Sequence, residues 1–185
     1  MTFATVTLTL WLLCQSSLEL PTNARKGLDH KFPGWKLLEY TEEYYGGQLV
    51  ELDRHSSPFF KCQLNHDSVA DYALGIVIKG DTNLTVHFVA LVSEEDSFSV
   101  HTLRSYINPH PLLMYLYLYP KETETANFGW DQEADIPAEL RGTFNERKMT
   151  SKFSTDCVAL FRTDKNYCMA FVFEKGKLWS FSSCD

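Results

Sequence analysis

Ser154-Thr155-Asp156-Cys157-Val158-Ala159-Leu160-Phe161-Arg162 and Tyr167-Cys168-Met169-Ala170-Phe171-Val172-Phe173 decide the fold. Both are alternating apolar segments that open on a cysteine. The turn-rich Thr163-Asp164-Lys165-Asn166 joins them, which is how an antiparallel hairpin with a cross-strand disulfide is written. Lys177-Leu178-Trp179 follows as a further apolar stretch. The pattern predicts a secreted β-protein.

The other end of the chain agrees. Thr2 to Leu13 carries no charge, is almost wholly apolar or hydroxylated, and passes through Cys14-Gln15-Ser16 into the polar run 21–26. That reads as a signal peptide over 1–16, too short to span a bilayer, with a single domain over 17–185. Of the five cysteines Cys14 leaves with the signal, and Cys62, Cys157, Cys168 and Cys184 remain. An even number in an oxidising compartment predicts two disulfides. Three pairings are possible, of which Cys157–Cys168 and Cys62–Cys184 are preferred. No close C-x2-C pair favours zinc. Asn83-Leu84-Thr85 is the one glycosylation sequon, placing a glycan on Asn83.

Period-two alternation marks strands at 47–52, 59–64, 72–79, 84–92, 97–106, 112–119, 155–162 and 168–174, with 178–181 as a continuation or a further strand. With turn formers, and no helical pattern, between most of them, they predict an all-β fold, a closed eight-stranded antiparallel up-and-down barrel. Trp35 to Tyr44 spaces its apolar residues as one face of a short N-terminal helix across one end of the barrel. The segment 121–152 is poor strand material and reads as a long loop, a helical turn from Pro137 or an irregular strand.

A net charge of −7 excludes a nucleic-acid surface, which needs clustered Lys and Arg. No G-x-S-x-G elbow, H-E-x-x-H helix, P-loop or dinucleotide fingerprint is present, so neither an enzyme nor a cofactor is expected. Of the six histidines, His87 and His101 lie inside strands beside apolar residues, where either could point into a cavity. Tyr115, Tyr117 and Tyr119 alternate with Met114, Leu116 and Leu118, so one face of that strand is phenolic and the other aliphatic. The phenols form either a ligand wall or an outer surface shared with a partner. Asp71 and Glu174, near strand ends, are expected at a solvated rim. Trp35, Tyr45, His87, His101, Tyr115, Tyr117 and Trp130 are the candidate ligand-binding residues. An amine ligand needs a buried acid; a fatty acid needs a basic anchor such as Arg104 or Arg162.

Trp35-Lys36-Leu37-Leu38 followed by Glu43-Tyr44-Tyr45, the approach Phe59-Phe60-Lys61-Cys62, and Thr155-Asp156-Cys157 with Cys168 and Leu178-Trp179 carry a resemblance. They are similar to the tick salivary lipocalins, the group that includes the histamine-binding proteins. That resemblance implies an eight-stranded antiparallel lipocalin-like barrel with a flanking helix, enclosing one or two pockets. It also implies a secreted, monomeric scavenger of a small host mediator, either a biogenic amine such as histamine or serotonin, or a leukotriene or fatty acid. Some members of the group instead bind complement proteins, so an immunomodulatory protein-binding module is the alternative. The chain departs from the group in the spacing between Cys168 and Leu178 and in its short C-terminus, which keeps other secreted tick salivary immunosuppressants open as relatives.

Overall fold

A computed structural model describes residues 20–40, 57–109, 114–126, 137, 140–145, 150–162 and 168–182. Among the described residues the chain is mostly β, with antiparallel sheets and one short α-helix. The expected signal peptide, the strand over 47–52, Tyr45, Trp130 and Cys184 lie outside the described residues.

The helix, α1 (Thr22–Lys31), precedes β1 (Lys36–Leu37), β2 (Phe59–Cys62), β3 (Asp71–Lys79), β4 (Leu84–Glu94) and β5 (Ser97–Ile107). Then come β6 (Met114–Tyr119), β7 (Glu124–Ala126), β8 (Phe144–Asn145), β9 (Thr150–Lys152), β10 (Cys157–Arg162), β11 (Cys168–Glu174) and β12 (Lys177–Ser182). One sheet runs β1-β3-β4-β5 with β2 also on β3, a second runs β12-β11-β10-β6, and a small third runs β7-β9-β8. Among the described residues no strand pairing closes the two main sheets into a barrel.

The helix stands earlier than the sequence spacing predicts. Ala24 and Leu28, one turn apart, are fully buried, Phe32 follows on the same side, and His30 and Lys31 meet the negative end of the helix dipole. Trp35 to Tyr40 is not helical: Lys36 and Leu37 pair with Val77 and Ile76. Both faces of the first sheet are covered there, so neighbouring apolar residues serve opposite sides. Leu37 packs toward α1 and Leu38 toward the interior, and two adjacent leucines imitate a helical stripe.

The same two-sided burial explains the unbroken apolar run of β3. Tyr72, Leu74 and Ile76 join Val89 and Leu91 under Ala24, Leu28 and Phe32 of the helix. Ala73 and Val77, with Val86, Phe88, Ala90 and Val92 of β4, face the second sheet, which contributes Leu116, Val158, Leu160, Phe171 and Phe173. Behind that sheet, Cys157, Ala159, Ala170 and Val172 are covered by Leu140 and Phe153 from the 120–153 segment. Among the described residues of that segment, short strands and a 3-10 turn (Arg141–Thr143) carry Leu140 and Phe153 onto the second sheet's outer face. Lys175 (φ 49°) and Gly176 (φ 73°) form a two-residue hairpin turn, which makes β12 a strand of its own.

The disulfide preferences are corrected. Cys62 and Cys157 are free, buried thiols, whereas Cys168 is disulfide-bonded. Register forbids Cys157–Cys168, because Cys168 lies opposite Phe161, four residues along β10 from Cys157. The two are roughly 13 Å apart along the ladder, against a limit of about 7 Å between bridged Cα atoms. Asn83 sits exposed in the turn before β4, where a glycan has room.

Candidate functional site

The inter-sheet space has two unlike ends. At one end Asp71, the first residue of β3, shares the inward face of Ala73 and is fully buried, not at a solvated rim. Its Oδ2 accepts the backbone N–H groups of Leu64 (2.6 Å) and Asn65 (3.1 Å). Its Oδ1 accepts the N–H of Ser93 (2.7 Å) and lies 2.8 Å from the Ser93 hydroxyl. That hydroxyl is also 2.7 Å from Asp67 Oδ2 and can serve one carboxylate at a time. Burial raises the Asp67 carboxyl, but hydrogen bonds from Ser93, the Val69 N–H and Asn65 outweigh it and hold it below the usual range. Asp71 thus fastens the 63–70 loop across this end, and its charge is taken up by protein donors.

Asp156 secures the same end. Its Oδ2 accepts the Gln63 N–H (2.8 Å), its Oδ1 accepts the Lys121 N–H (2.8 Å), and its own N–H donates to Gln63 O (2.7 Å). One residue ties the approach to the first sheet, the start of β10 and the turn after β6. Glu174 is also buried at this end, its Oε2 3.4 Å from His66 Nε2.

The opposite end lies where β3 passes into β4, β5 ends, β6 begins and β10 ends. Its inward-facing side chains reach solvent. Leu84, Tyr106 and Met169 are partly buried and packed against the core, with Met114 buried beside them. Val158 and Leu160 point inward from β10, so Arg162, two residues on and opposite Met114, continues that face. Arg162 is half-buried. Among the described residues of this end, Arg162 is a cation on the apolar inner wall, and a cation so placed can orient a charged ligand. Tyr40 straps the wall: its hydroxyl accepts the Leu116 N–H (2.8 Å) and donates to Ser57 O (3.1 Å).

The residues expected to line a cavity scatter. His101 faces inward opposite Ala90, with its ring edge-on to Phe173 at 5.2 Å and Nε2 2.9 Å from Ser99 Oγ. His87 faces outward. Its ring lies 4.7 Å from that of Phe32 and Nδ1 is 2.7 Å from Ser105 Oγ. A register shift between Phe88 and Val89 sends the two histidines to different faces. Tyr115 and Tyr117 also face outward, the first stacked on Phe161 at 5.9 Å and the second tilted against it at 5.1 Å, while Met114, Leu116 and Leu118 face the core. Trp35 lies outside the first sheet, its Nε1–H donating to Asp29 Oδ1 (2.8 Å). Of the five candidates among the described residues, only His101 is placed between the sheets. The stride from Leu160 to Arg162 was the sequence signal for the inward cation.

No protein-family model, curated protein or solved structure matches this chain. The site's chemistry is therefore read from its own residues. Among the described residues no group of His, Cys, Asp and Glu is placed to hold a metal, and no helix is long and apolar enough to cross a membrane.

Burial, and secondarily the charge of Lys31, lowers the pKa of both His87 and His101; Glu94 partly opposes this at His101. A histidine whose folded pKa is lowered leaves the unfolded chain binding more protons, so stability rises with pH across the shift. Stability is complete above the ordinary histidine pKa of about 6.5 and falls as the pH drops from there toward the lowered values. Melting temperature is expected to decline between pH 7.5 and 5.5, and the decline to shrink in a His87→Gln/His101→Gln double variant. Equal slopes for parent and variant would refute this.

Proposed function

We propose that this protein is a secreted lipocalin-like binder that sequesters a small amphiphilic host mediator carrying a carboxylate, of the leukotriene or fatty-acid kind, between its two sheets. The observation that carries the reading is Arg162, a half-buried cation on the inward face of β10 beside Met114 and Leu160. A carboxylate meets a guanidinium there while an acyl body lies against Met114, Met169, Leu84 and Tyr106. The amine alternative needs an uncommitted buried acid. Asp71, the fully buried carboxylate, already receives protein donors on both oxygens, and an ammonium would have to displace them. The two sheets facing each other across one apolar core support an eight-stranded barrel as the container.

Isothermal titration of the oxidised mature protein with arachidonic acid, a leukotriene, histamine and serotonin tests the reading. The lipids are expected to saturate near one equivalent and the amines to give no heat. Arg162→Ala is expected to weaken lipid binding roughly 10- to 100-fold, the worth of a charge-assisted hydrogen bond. Amine binding without lipid binding, or full affinity in Arg162→Ala, would overturn it.

A second reading is a protein-binding module of host immune proteins. It draws on the outward row of Tyr117, Tyr119 and Phe161, which is only partly buried on the second sheet. Silence for all four ligands, with binding of a plasma protein lost on Tyr117→Ser, would favour it.

A further inference from the structure

Outside the first sheet, between α1 and β1, lies a groove of about 440 Å³ lined by Arg25, Asp29, Gly34, Trp35, Lys36 and Leu37. It lies on the face opposite the inter-sheet space: Leu37 and Trp35 belong to the cluster beneath the helix. We propose that this groove is a second binding site, for a small aromatic anion bearing a carboxylate, sulfonate or sulfate group.

Three observations converge. First, the volume falls within the range of sites that enclose a drug-sized molecule, roughly 300–1,000 Å³. Second, the groove carries two cations, Arg25 and Lys36, and neither side chain forms an ion pair or hydrogen bond among the described residues. Asp29 is the opposing acid, and one of its oxygens is taken by the Trp35 indole N–H at 2.8 Å. The groove is net cationic in a chain whose formal charge is −7, so an anion is drawn to this place and repelled by much of the rest. Third, that indole bond holds Trp35 on the groove wall, where a planar ring can stack at little entropic cost because the platform is already fixed. Leu37 completes the apolar side. Cations at the rim and an indole on the wall select a flat apolar body with one negative group. A bare phosphate would gain nothing from the indole, and a neutral ring nothing from Arg25 and Lys36.

The test uses 2-naphthalenesulfonate, with 2-naphthalenemethanol and 2-naphthylmethylammonium as neutral and cationic matches, titrated into the whole mature protein and followed by calorimetry and tryptophan fluorescence. The sulfonate is expected to bind near one equivalent and the ammonium at least ten-fold more weakly. An Arg25→Glu/Lys36→Glu variant, its melting temperature and circular dichroism unchanged, is expected to lose at least ten-fold in affinity. Trp35→Phe is expected to abolish the fluorescence response. Equal affinity for the cationic match, or unchanged affinity in the charge-reversed variant, would overturn the inference. Loss of sulfonate binding in Arg162→Ala but not in the groove variant would also overturn it, by placing the probe between the sheets. Because that control separates the two sites, failure of lipid binding at Arg162 leaves the groove's result readable.

Discussion

An Asp71→Ala variant is expected to melt about 10 °C below the parent protein. Alanine removes both carboxylate oxygens and leaves the N–H groups of Leu64, Asn65 and Ser93 facing a buried void. Each lost charge-assisted bond with a stranded buried donor is worth about 1–3 kcal/mol, and partial relaxation of the loop brings the sum to about 3–5 kcal/mol. For a domain of this size each kcal/mol moves the melting temperature by about 2–4 °C. Asp71→Asn should fall between: the amide keeps one acceptor but turns its NH2 toward one of the donor pairs, so about half the network survives. Thermal unfolding followed by circular dichroism reads both variants. A loss under about 2 °C in Asp71→Ala would show that the 63–70 loop closes without the carboxylate.

Gly75→Val is the second large effect, and its partner is Leu38. A Cβ at position 75 would lie 2.9 Å from Leu38 Cδ2, 3.2 Å from Leu38 Cβ and 3.3 Å from Phe88 Cε1. The bare backbone of Gly75 is what lets Leu38 lie flat on the inner face of β3, and it also accepts the Leu38 N–H at 2.8 Å. Valine drives Leu38 off its seat in a core where both Leu38 and Phe88 are fully buried, at a cost of about 3 kcal/mol. Leu38→Ala alone costs a similar amount through the cavity it leaves. Combined, the valine methyls occupy the vacated space. Urea midpoints of the four proteins should show the double variant less destabilised than the sum of the singles by more than about 1 kcal/mol. Additive losses would mean that the clash at position 75 is with something other than Leu38.

Alternation carried the strands well, because most of them bury one face and expose or differently pack the other. The runs around Phe59, Tyr72, Leu84, Ser97, Leu112, Thr155 and Cys168 all correspond to strands, with ends displaced by three residues or fewer. It failed at β1, a pairing of two residues that is too short to display a period. At Leu37 and Leu38 two neighbouring leucines serve two different layers, and their adjacency imitates helical spacing. The real helix hid in a polar run, since only Ala24, Leu28 and Phe32 of its neighbourhood enter the core and the rest is charged surface.

The site was less legible than the fold for a related reason. Alternation says which residues share a face but not which face is inside. The phenolic and aliphatic sides of β6 were therefore interchangeable on the page; packing assigned the aliphatic side inward and left the tyrosines to Phe161. His87 and His101 looked equivalent because a one-residue irregularity between Phe88 and Val89 leaves no mark on composition. Asp71 was misjudged because a carboxylate at a strand end is usually solvated, and its donors come from loop backbone that no side-chain pattern announces.

The free, buried cysteines Cys62 and Cys157 give the molecule a clock. Burial raises the Cys62 thiol well above its ordinary range, with the charges of Asp71 and Asp156 adding to the effect, and pushes Cys157 up to about 12, chiefly by desolvation. Neither forms thiolate at ordinary pH nor meets an oxidant while the chain is closed. Once the chain opens, both thiols recover ordinary reactivity. A modified sulfur no longer fits the space it left, so each opening in an oxidising fluid can be permanent. In such a fluid the working lifetime of this protein is then set by how often it unfolds, a rate, more than by how strongly it prefers to be folded.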